Sequence, residues 1–211
     1  MQTRERVGKI LLRLKKKFGE PHTALSHKKP LDLLMAVILS AQCTDAQVNR
    51  VTPALFRRFK TAEDYANAGL PEIESYIRPT GFYRSKAKSL KETGRIIAER
   101  FHGKVPKTME ELTQLRGVAR KTANIVLTEG FGIVEGIAVD THVKRLSWRL
   151  GLSKNRDPVK IEQDLMKLFP RAEWEDISML LILHGRQTCF ARKPKCGECK
   201  LQKLCPSAFK V

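Results

Sequence analysis

Four of the five cysteines lie within seventeen residues near the C-terminal end of the chain, and their spacing constrains the fold most. The pattern is C-x6-C-x2-C-x5-C, formed by Cys189, Cys196, Cys199 and Cys205. The residues between them are rich in Lys, Arg, Pro and Gly and cannot build a hydrophobic core. A metal bound by four thiolates would supply the missing cross-links. Unrelated free thiols are the alternative, but such thiols seldom cluster at ligand spacing.

The identity of the metal stays open on thiolate chemistry alone. Zinc ribbons usually carry two C-x2-C pairs, and this segment has one. The segment closes with Cys205 followed by Pro206, a Cys-Pro step that bacterial ferredoxins also have. Zinc and an iron–sulfur cluster both accept four thiolates, and the spacing favours the cluster. Cys43 lies far from these four and is predicted to be a small buried residue.

A second motif, residues 115–124 (LRGVARKTAN), predicts the turn and second helix of a helix-hairpin-helix unit. The free N–H groups at the start of such a helix form an anion site. Lys121 lies in its first turn, where a lysine can bind phosphate or act as a nucleophile. Asp140 precedes another helix, where it can cap the helix or assist proton transfer. Residue type alone leaves both roles open for each residue.

The net charge of +18 indicates a polyanionic partner, either nucleic acid or an anionic membrane surface. The N-terminal segment predicts an amphipathic helix with Ile10, Leu11, Leu14 and Phe18 on one face, which leaves membrane-surface binding open. Residues 31–40 are too few to span a bilayer. The N-terminus lacks the features of a secretion signal, so we expect an intracellular protein in a reducing compartment.

Helix signals dominate the chain, and the predicted fold class is all-α. Residues 31–39 are apolar on every side, as expected of a helix at the centre of a domain. Helix starts are predicted from capping residues at Thr44, Ser85, Thr108 and Asp157. Residues 132–139 alternate loosely and could be extended, but they have no partner strand.

Together these motifs resemble the endonuclease III family of DNA glycosylases, which have a helix-hairpin-helix and a C-terminal [4Fe–4S] loop. The landmarks follow family order over nearly the whole chain: residues 39–45 (LSAQCTD), 81–87 (GFYRSKA), 115–124, 139–142 (VDTH), 183–186 (LHGR) and the cysteines. The resemblance implies two helical domains with a discontinuous boundary. Residues 24–133 would form a six-helix domain with the hairpin. Residues 1–23 and 134–211 would form the cluster domain, with the [4Fe–4S] loop at 189–205.

The resemblance also implies an activity. Such enzymes remove oxidised pyrimidines from duplex DNA and then nick the abasic site by β-elimination. Lys121 would be the amine nucleophile that forms a Schiff base, and Asp140 the assisting carboxylate. The amine must be deprotonated, which the neighbouring Arg120 and partial burial would favour.

The DNA contacts that the resemblance implies come from three regions. Gln42 would fill the space left by a flipped nucleotide, with capping of a helix end as its alternative role. Phe82 matches an apolar wedge that is commonly leucine, with a core position as its alternative. The remaining phosphate contacts would be Arg116, Gly117, Val118, Ala119 and Arg120 in the hairpin, and Arg192, Lys193 and Lys195 in the basic loop between the first two cysteines. A solvated charged loop is the alternative for these last three residues.

The sequence departs from the family pattern at three positions. The usual hairpin is Leu-Pro-Gly-Val-Gly, but Arg116 replaces the proline and Ala119 replaces the second glycine. Glycine is needed where φ is positive or where backbone approaches a ligand closely. Ala119 therefore leaves the geometry of the hairpin open, and Arg116 adds a charge. Gln187 stands where an aromatic residue is expected, and we have no physical account of that change.

Two further functions remain as alternatives. A monofunctional mismatch or adenine glycosylase is similar, but such enzymes generally lack the lysine at position 121. A non-enzymatic iron–sulfur DNA-binding regulator would also suit the basic charge, but it would have no need for Lys121 and Asp140. The predicted partner is double-stranded DNA with damaged pyrimidines or abasic sites. We expect no membrane partner, a monomer, and a cytoplasmic, nucleoid-associated location.

Overall fold

The structure is a computed structural model that describes residues 3–19 and 24–211. The chain separates into two compact units, which are Thr23–Glu135 and the pair Met1–His22 with Gly136–Val211. The predicted boundary between residues 133 and 134 lies two residues before the division between Glu135 and Gly136. The domain boundaries themselves stay a prediction.

All regular secondary structure in the described residues is helical, which confirms the all-α prediction. The α-helices are α1 (Thr3–Phe18), α2 (Pro30–Leu39), α3 (Asp45–Arg58), α4 (Ala62–Asn67), α5 (Leu70–Ile77), α6 (Tyr83–Arg100), α7 (Met109–Thr113), α8 (Arg120–Phe131), α9 (Thr141–Arg149), α10 (Pro158–Leu168) and α11 (Trp174–Gln187). Short 3-10 turns occur at Arg78–Thr80, Arg171–Glu173, Cys196–Glu198 and Gln202–Leu204. Residues 132–139 are neither helix nor strand.

The core of Thr23–Glu135 surrounds α2. Every residue from 31 to 39 is buried, as the apolar run predicted, and α2 packs against α8, α3 and α6. Each fully buried Leu or Ile side chain contributes about 1.5–3 kcal/mol relative to an exposed one. The described part of this unit holds seven α-helical segments where six were predicted, and two of them, α4 and α7, have six residues or fewer.

Helices α4 and α6 lie in unusually close contact because α6 carries a glycine at their crossing. A Cβ atom on Gly94 would lie 2.5 Å from the Cβ of Tyr65 and 2.8 Å from the carbonyl oxygen of Ala62. Real Cβ atoms do not approach other atoms so closely. The absence of a side chain at Gly94 therefore lets α6 pack directly on the backbone of α4.

Three of the four predicted helix starts are confirmed. The side chains of Thr44, Thr108 and Asp157 each accept a hydrogen bond from the backbone N–H three residues later. The prediction for Ser85 is wrong, because α6 already begins at Tyr83. Phe82 occupies the N-cap position in the left-handed conformation, so Ser85 lies inside the first turn.

The second core lies in the unit that contains α1, α9, α10 and α11. The apolar face of α1 packs against α11 and is buried at Val7, Ile10 and Leu14. Lys15 on α1 also binds the carboxylates of Glu173 and Asp176. Because this face is covered by protein, it is not available to a membrane surface, and that alternative loses its support. Within residues 3–19 and 24–211, no helix combines the length and apolarity needed to cross a bilayer.

Candidate functional site

Helices α7 and α8 form the predicted hairpin, and α6 anchors its turn. Gly117 has a φ of 82°, the left-handed conformation that favours glycine. A Cβ atom there would also lie 3.3 Å from the side chain of Ser89 on α6. The hydroxyl of Thr93, also on α6, donates a 3.0 Å hydrogen bond to the carbonyl oxygen of Arg116. The turn is therefore held from one side, and its other side is exposed at Arg116 and Gly117.

The substitution of Ala119 for the second glycine introduces no backbone strain. Ala119 is the N-cap of α8 with φ −85° and ψ 168°, an extended conformation that any residue adopts. In the described part of the chain no side chain caps α8. Its first-turn N–H groups consequently provide an anion site at the exposed residues Ala119 and Arg120.

Val118 differs from its neighbours in the hairpin. Its side chain is only 5% exposed and belongs to the core, together with Leu115. Its backbone N–H already donates to the carbonyl oxygen of Leu115 at 3.1 Å. The predicted phosphate contact through the Val118 amide is therefore less favourable than one through the uncapped start of α8.

Lys121 is the second residue of α8 and is exposed. The predicted partial burial is therefore wrong for the protein without DNA. The reason is its position in the first turn, outside the buried face of α8 that Ala123, Val126 and Leu127 form. An exposed amine at an uncapped helix start is chemically able to bind a phosphate or to act as a nucleophile.

Gln42 and Phe82 share an unusual backbone conformation. Their φ angles are 53° and 49°, in the left-handed region that costs a non-glycine residue about 1–3 kcal/mol. Phe82 is 68% exposed, so its alternative role as a core residue is wrong. The side chain of Gln42 is exposed and forms no hydrogen bond with residues 3–19 or 24–211, so it caps none of the helices there. Two exposed side chains on strained backbone suit insertion into a base stack.

Lys86 was not identified from the sequence. It is 5% exposed, and its Nζ donates a 2.8 Å hydrogen bond to the carbonyl oxygen of Thr80. Burial lowers the pKa of this amine, and the neighbouring Cys43 thiol partly opposes that effect. Thr80 immediately precedes the left-handed pair Gly81 and Phe82, so Lys86 fixes the turn that exposes Phe82. The sequence did contain a signal for this residue, namely a lysine next to Ala87 on the apolar face of α6.

Cys43 was predicted to be buried, but it is only half-buried.

Asp140 has the capping role that its position predicted. Its Oδ1 accepts a 2.8 Å hydrogen bond from the backbone N–H of Val143, at the start of α9. Oδ2 forms no hydrogen bond to the described residues, and the carboxylate is half-buried. One oxygen thus serves the fold while the other can still accept a proton or face a cation.

The four cysteines Cys189, Cys196, Cys199 and Cys205 are half-buried and line one cavity, together with Leu146, His184 and other residues. Three sulfurs have nitrogen neighbours: Arg149 Nη1 at 3.3 Å from Cys189, Phe209 N at 3.5 Å from Cys196 and His184 Nε2 at 3.5 Å from Cys199. Burial raises the pKa of the Cys199 and Cys205 thiols, backbone N–H groups lower it, and the other thiols raise it further.

This donor set fits a metal cluster. Four mutually repelling thiolates in one cavity need a positively charged group to neutralise them. The N–H groups that face the sulfurs suit thiolate ligands, as hydrogen bonds to cluster sulfurs do in such sites. Within residues 3–19 and 24–211, no three His, Cys, Asp or Glu side chains form a site for a single metal ion.

Arg149 connects this cavity to the basic loop and was also missed from the sequence. It is 8% exposed, and its guanidinium donates to the carbonyl oxygens of Phe190 at 2.7 Å and Ala191 at 3.0 Å, besides Cys189. The loop backbone is held inward, while the basic side chains Arg192, Lys193 and Lys195 are exposed. A basic residue three positions after Leu146 on the buried face of α9 was the available signal.

Comparisons with known proteins agree with this arrangement. The model of HhH-GPD superfamily base excision DNA repair proteins matches residues 35–171. The model of the iron-sulfur binding domain of endonuclease III matches residues 189–205, and it supports the predicted [4Fe–4S] cluster as the cofactor of this chain. Endonuclease III of Synechocystis sp. is 56% identical over 205 residues, which cover 97% of this chain and 94% of that relative.

Two solved structures are similar over the whole chain. One is a non-covalent endonuclease III–DNA complex, and the other is a trapped endonuclease III–DNA covalent intermediate. Each has a TM-score of 0.93 and 42% identity, and the match covers 100% of this chain and 98% or 99% of theirs. The hairpin, the cysteine spacing and these matches agree, and the chain belongs to the endonuclease III family of HhH-GPD base excision DNA repair proteins.

Proposed function

We propose that this protein is a bifunctional DNA glycosylase and abasic-site lyase that removes oxidised pyrimidines from duplex DNA. The observation that carries the proposal is Lys121, an exposed amine in the first turn of an uncapped helix. Membership of the endonuclease III family supports it, since a relative of this fold has been trapped in a covalent intermediate with DNA. A monofunctional glycosylase would need no amine at this position.

Lys121 supplies the nucleophile in this mechanism. Its unprotonated Nζ attacks C1′ of a flipped nucleotide, and the bond from C1′ to the base breaks with its electron pair leaving on the base. The base takes up a proton as it leaves. The sugar ring opens as the Nζ–C1′ bond becomes an imine, the Schiff base. Loss of a proton from C2′ then breaks the C3′–O bond, and the 3′ phosphate departs.

Asp140 acts in the same steps through its carboxylate. A negative charge near the sugar stabilises the positive charge that develops at C1′ when the base leaves. The oxygen without a hydrogen bond, Oδ2, can also accept the proton removed during imine formation or elimination. The cap to Val143 fixes the carboxylate in place.

The remaining groups bind and hold DNA. The uncapped start of α8, with Gly117, Ala119 and Arg120, binds backbone phosphate, and Arg116 adds a cation beside it. Phe82 opens the base stack and Gln42 fills the space that the flipped nucleotide leaves. The exposed cations of the basic loop are further phosphate contacts, namely Arg192, Lys193 and Lys195.

Cys189, Cys196, Cys199 and Cys205 are the proposed ligands of the [4Fe–4S] cluster. Bound there, the cluster cross-links residues 189–205 and so stabilises the basic loop. Arg149 also stabilises this loop, because its guanidinium donates hydrogen bonds to the carbonyl oxygens of Phe190 and Ala191. We further propose that the enzyme works as a monomer in the cytoplasm, on nucleoid DNA; these two points rest on the family alone.

Borohydride trapping tests the proposal. The substrate is a duplex with one thymine glycol, and the variants are Lys121→Ala and Lys121→Arg. Arginine keeps the positive charge but stays protonated, so it cannot form a Schiff base. We expect a covalent adduct with the natural protein and none with either variant, while Lys121→Arg retains duplex binding.

Two results would change the assignment. Base release without any adduct in the natural protein would indicate a monofunctional glycosylase and leave Lys121 as a phosphate contact. Tight duplex binding with an intact cluster but no base release from thymine glycol, oxidised cytosine or mismatched duplexes would favour the DNA-binding regulator.

A further inference from the structure

A basic groove lies on the unit formed by Met1–His22 and Gly136–Val211. The proposed cluster ligand Cys199 also lines it, but its cations have no role in the site above. It runs between the C-terminal half of α1 and the segment that follows Cys196. Five cations and one acid line it: Arg13, Lys16, Lys17, Lys200, Lys203 and Glu198. We call this feature the α1 groove.

Hydrogen bonds join the two sides of the α1 groove. The guanidinium of Arg13 donates from Nη1 to the carbonyl oxygen of Lys200 at 2.9 Å. The Nζ of Lys17 donates to the hydroxyl of Thr188 at 2.7 Å. The buried face of α1 fixes the helix in the core beneath these contacts. The walls of the groove are therefore set by the fold.

Among the described residues, no acidic side chain forms an ion pair with a cation of the α1 groove. Lys16, Lys200 and Lys203 are exposed, and none of their side chains forms an ion pair or hydrogen bond with residues 3–19 or 24–211. Lys15, the neighbour of Lys16, contrasts with them because it binds Glu173 and Asp176. Glu198 also lines the groove, but it forms no ion pair with these three lysines, so their charges repel one another until an anion binds.

The surrounding unit is also the more basic of the two. Residues 1–22 and 136–211 contain 22 Lys and Arg against 10 Asp and Glu, a net charge of +12. Residues 23–135 contain 18 against 12, a net charge of +6. The unit with the groove therefore has two thirds of the net charge of +18 on fewer than half of the residues.

We propose that the α1 groove binds the phosphodiester backbone of duplex DNA, as a contact surface additional to the hairpin and the basic loop. Several lysines along a fixed groove suit repeated phosphates, and they carry no means of reading bases, so the contact is independent of sequence. The inference rests on the proposed function, because duplex DNA is the polyanion that such an enzyme meets. Each phosphate contact adds about 0.9 to the slope of log affinity against log salt concentration.

The test compares two triple variants with the same change in net charge. One replaces Lys16, Lys200 and Lys203 by glutamine. The control replaces Lys154, Arg156 and Lys160 by glutamine; these are exposed cations of the same unit outside the groove. Affinity for an undamaged duplex of about 30 base pairs is measured over a range of salt concentrations, since duplex affinity depends on salt.

We expect the salt slope to fall by about 2 to 3 in the groove variant and by less than about 1 in the control. Equal slopes in the two variants would overturn the proposal. Binding of polyglutamate is measured on the same proteins. If the groove variant loses polyglutamate binding but keeps the salt slope for DNA, the proposal is also overturned, because the groove would then fit an acidic protein segment.

Two measurements on the same proteins separate this proposal from the proposed function. Melting temperatures of both variants should match the natural protein, because the substituted side chains are exposed. Borohydride adducts at saturating protein should be unchanged in both, because Lys121 and Asp140 are intact. An adduct without any effect on the salt slope would reject the groove and leave the lyase in place. No adduct in any protein, with the slope reduced only in the groove variant, would reject the lyase and retain the groove.

Discussion

Replacing Gly94 by alanine is expected to destabilise the protein although alanine is the better helix former. The new Cβ would lie 2.5 Å from the Cβ of Tyr65 and 2.8 Å from the carbonyl oxygen of Ala62. Neither atom sits at the end of a flexible side chain, and Tyr65 is fully buried, so α4 and α6 must move apart. Such overpacking costs typically about 1–3 kcal/mol, and this contact belongs at the upper end.

The helix propensity of alanine offsets part of this cost. Alanine stabilises a helix interior by about 1 kcal/mol relative to glycine. The net loss for Gly94→Ala is therefore about 2 kcal/mol, which lowers the melting temperature of a chain of this length by about 4–8 °C.

Gly8→Ala is the matched control. Gly8 also lies inside a helix, α1, but a Cβ there meets no atom within 4 Å. The same substitution should raise the melting temperature by about 1–4 °C, because only the propensity gain remains. Circular dichroism at 222 nm on both variants gives the comparison. A melting temperature for Gly94→Ala equal to or above that of the natural protein would refute the packing argument.

Four further variants at three positions test single contacts. Asp140→Asn should keep the melting temperature, because asparagine caps helices as well as aspartate, whereas Asp140→Ala should lose about 1 kcal/mol; both should lose lyase activity. Lys86→Met should speed amide hydrogen exchange at residues 81–83 about tenfold or more, because a charged donor to Thr80 is removed, while exchange in α10 stays unchanged. Hydrogen bonds from the backbone N–H groups of Thr61 and Lys60 lower the pKa of Asp64. The ionised carboxylate therefore stabilises the fold at a pH above the ordinary carboxyl pKa. This stabilisation is lost as the pH falls through the lowered pKa of the folded protein. Asp64→Asn should therefore flatten the fall of melting temperature in acid, and an unchanged acid profile would contradict this.

Local rules predicted most helices and several of their ends. Capping depends on a few consecutive residues, which is why Thr44, Thr108 and Asp157 were assigned correctly. Ser85 was assigned wrongly because the start of α6 depends on a left-handed turn before it. That turn is held by Lys86 from within the helix, a contact that no capping rule contains.

The sequence predicted where the candidate site residues lie in their helices, but not how exposed they are or which residues contact them. Lys121 was placed in the first turn of its helix and Asp140 at an N-cap, and both positions are confirmed. The exposure of Lys121 was not predicted, since it depends on which face of α8 packs inward. Arg149 was missed because its partners Phe190 and Ala191 lie about forty residues away along the chain. The catalytic roles stay predictions until the trapping experiment is done.

The burial of α1 has a consequence for synthesis on the ribosome. Its apolar face packs against α11, which ends at Gln187, so α1 is synthesised long before the helix that covers it. At about 5–20 residues per second, roughly 170 residues take about 10–35 s to follow it. Thr23–Glu135 contains its own core and can fold during that interval. Val7, Ile10 and Leu14 lack this cover meanwhile, so the nascent chain exposes apolar surface that the folded protein buries.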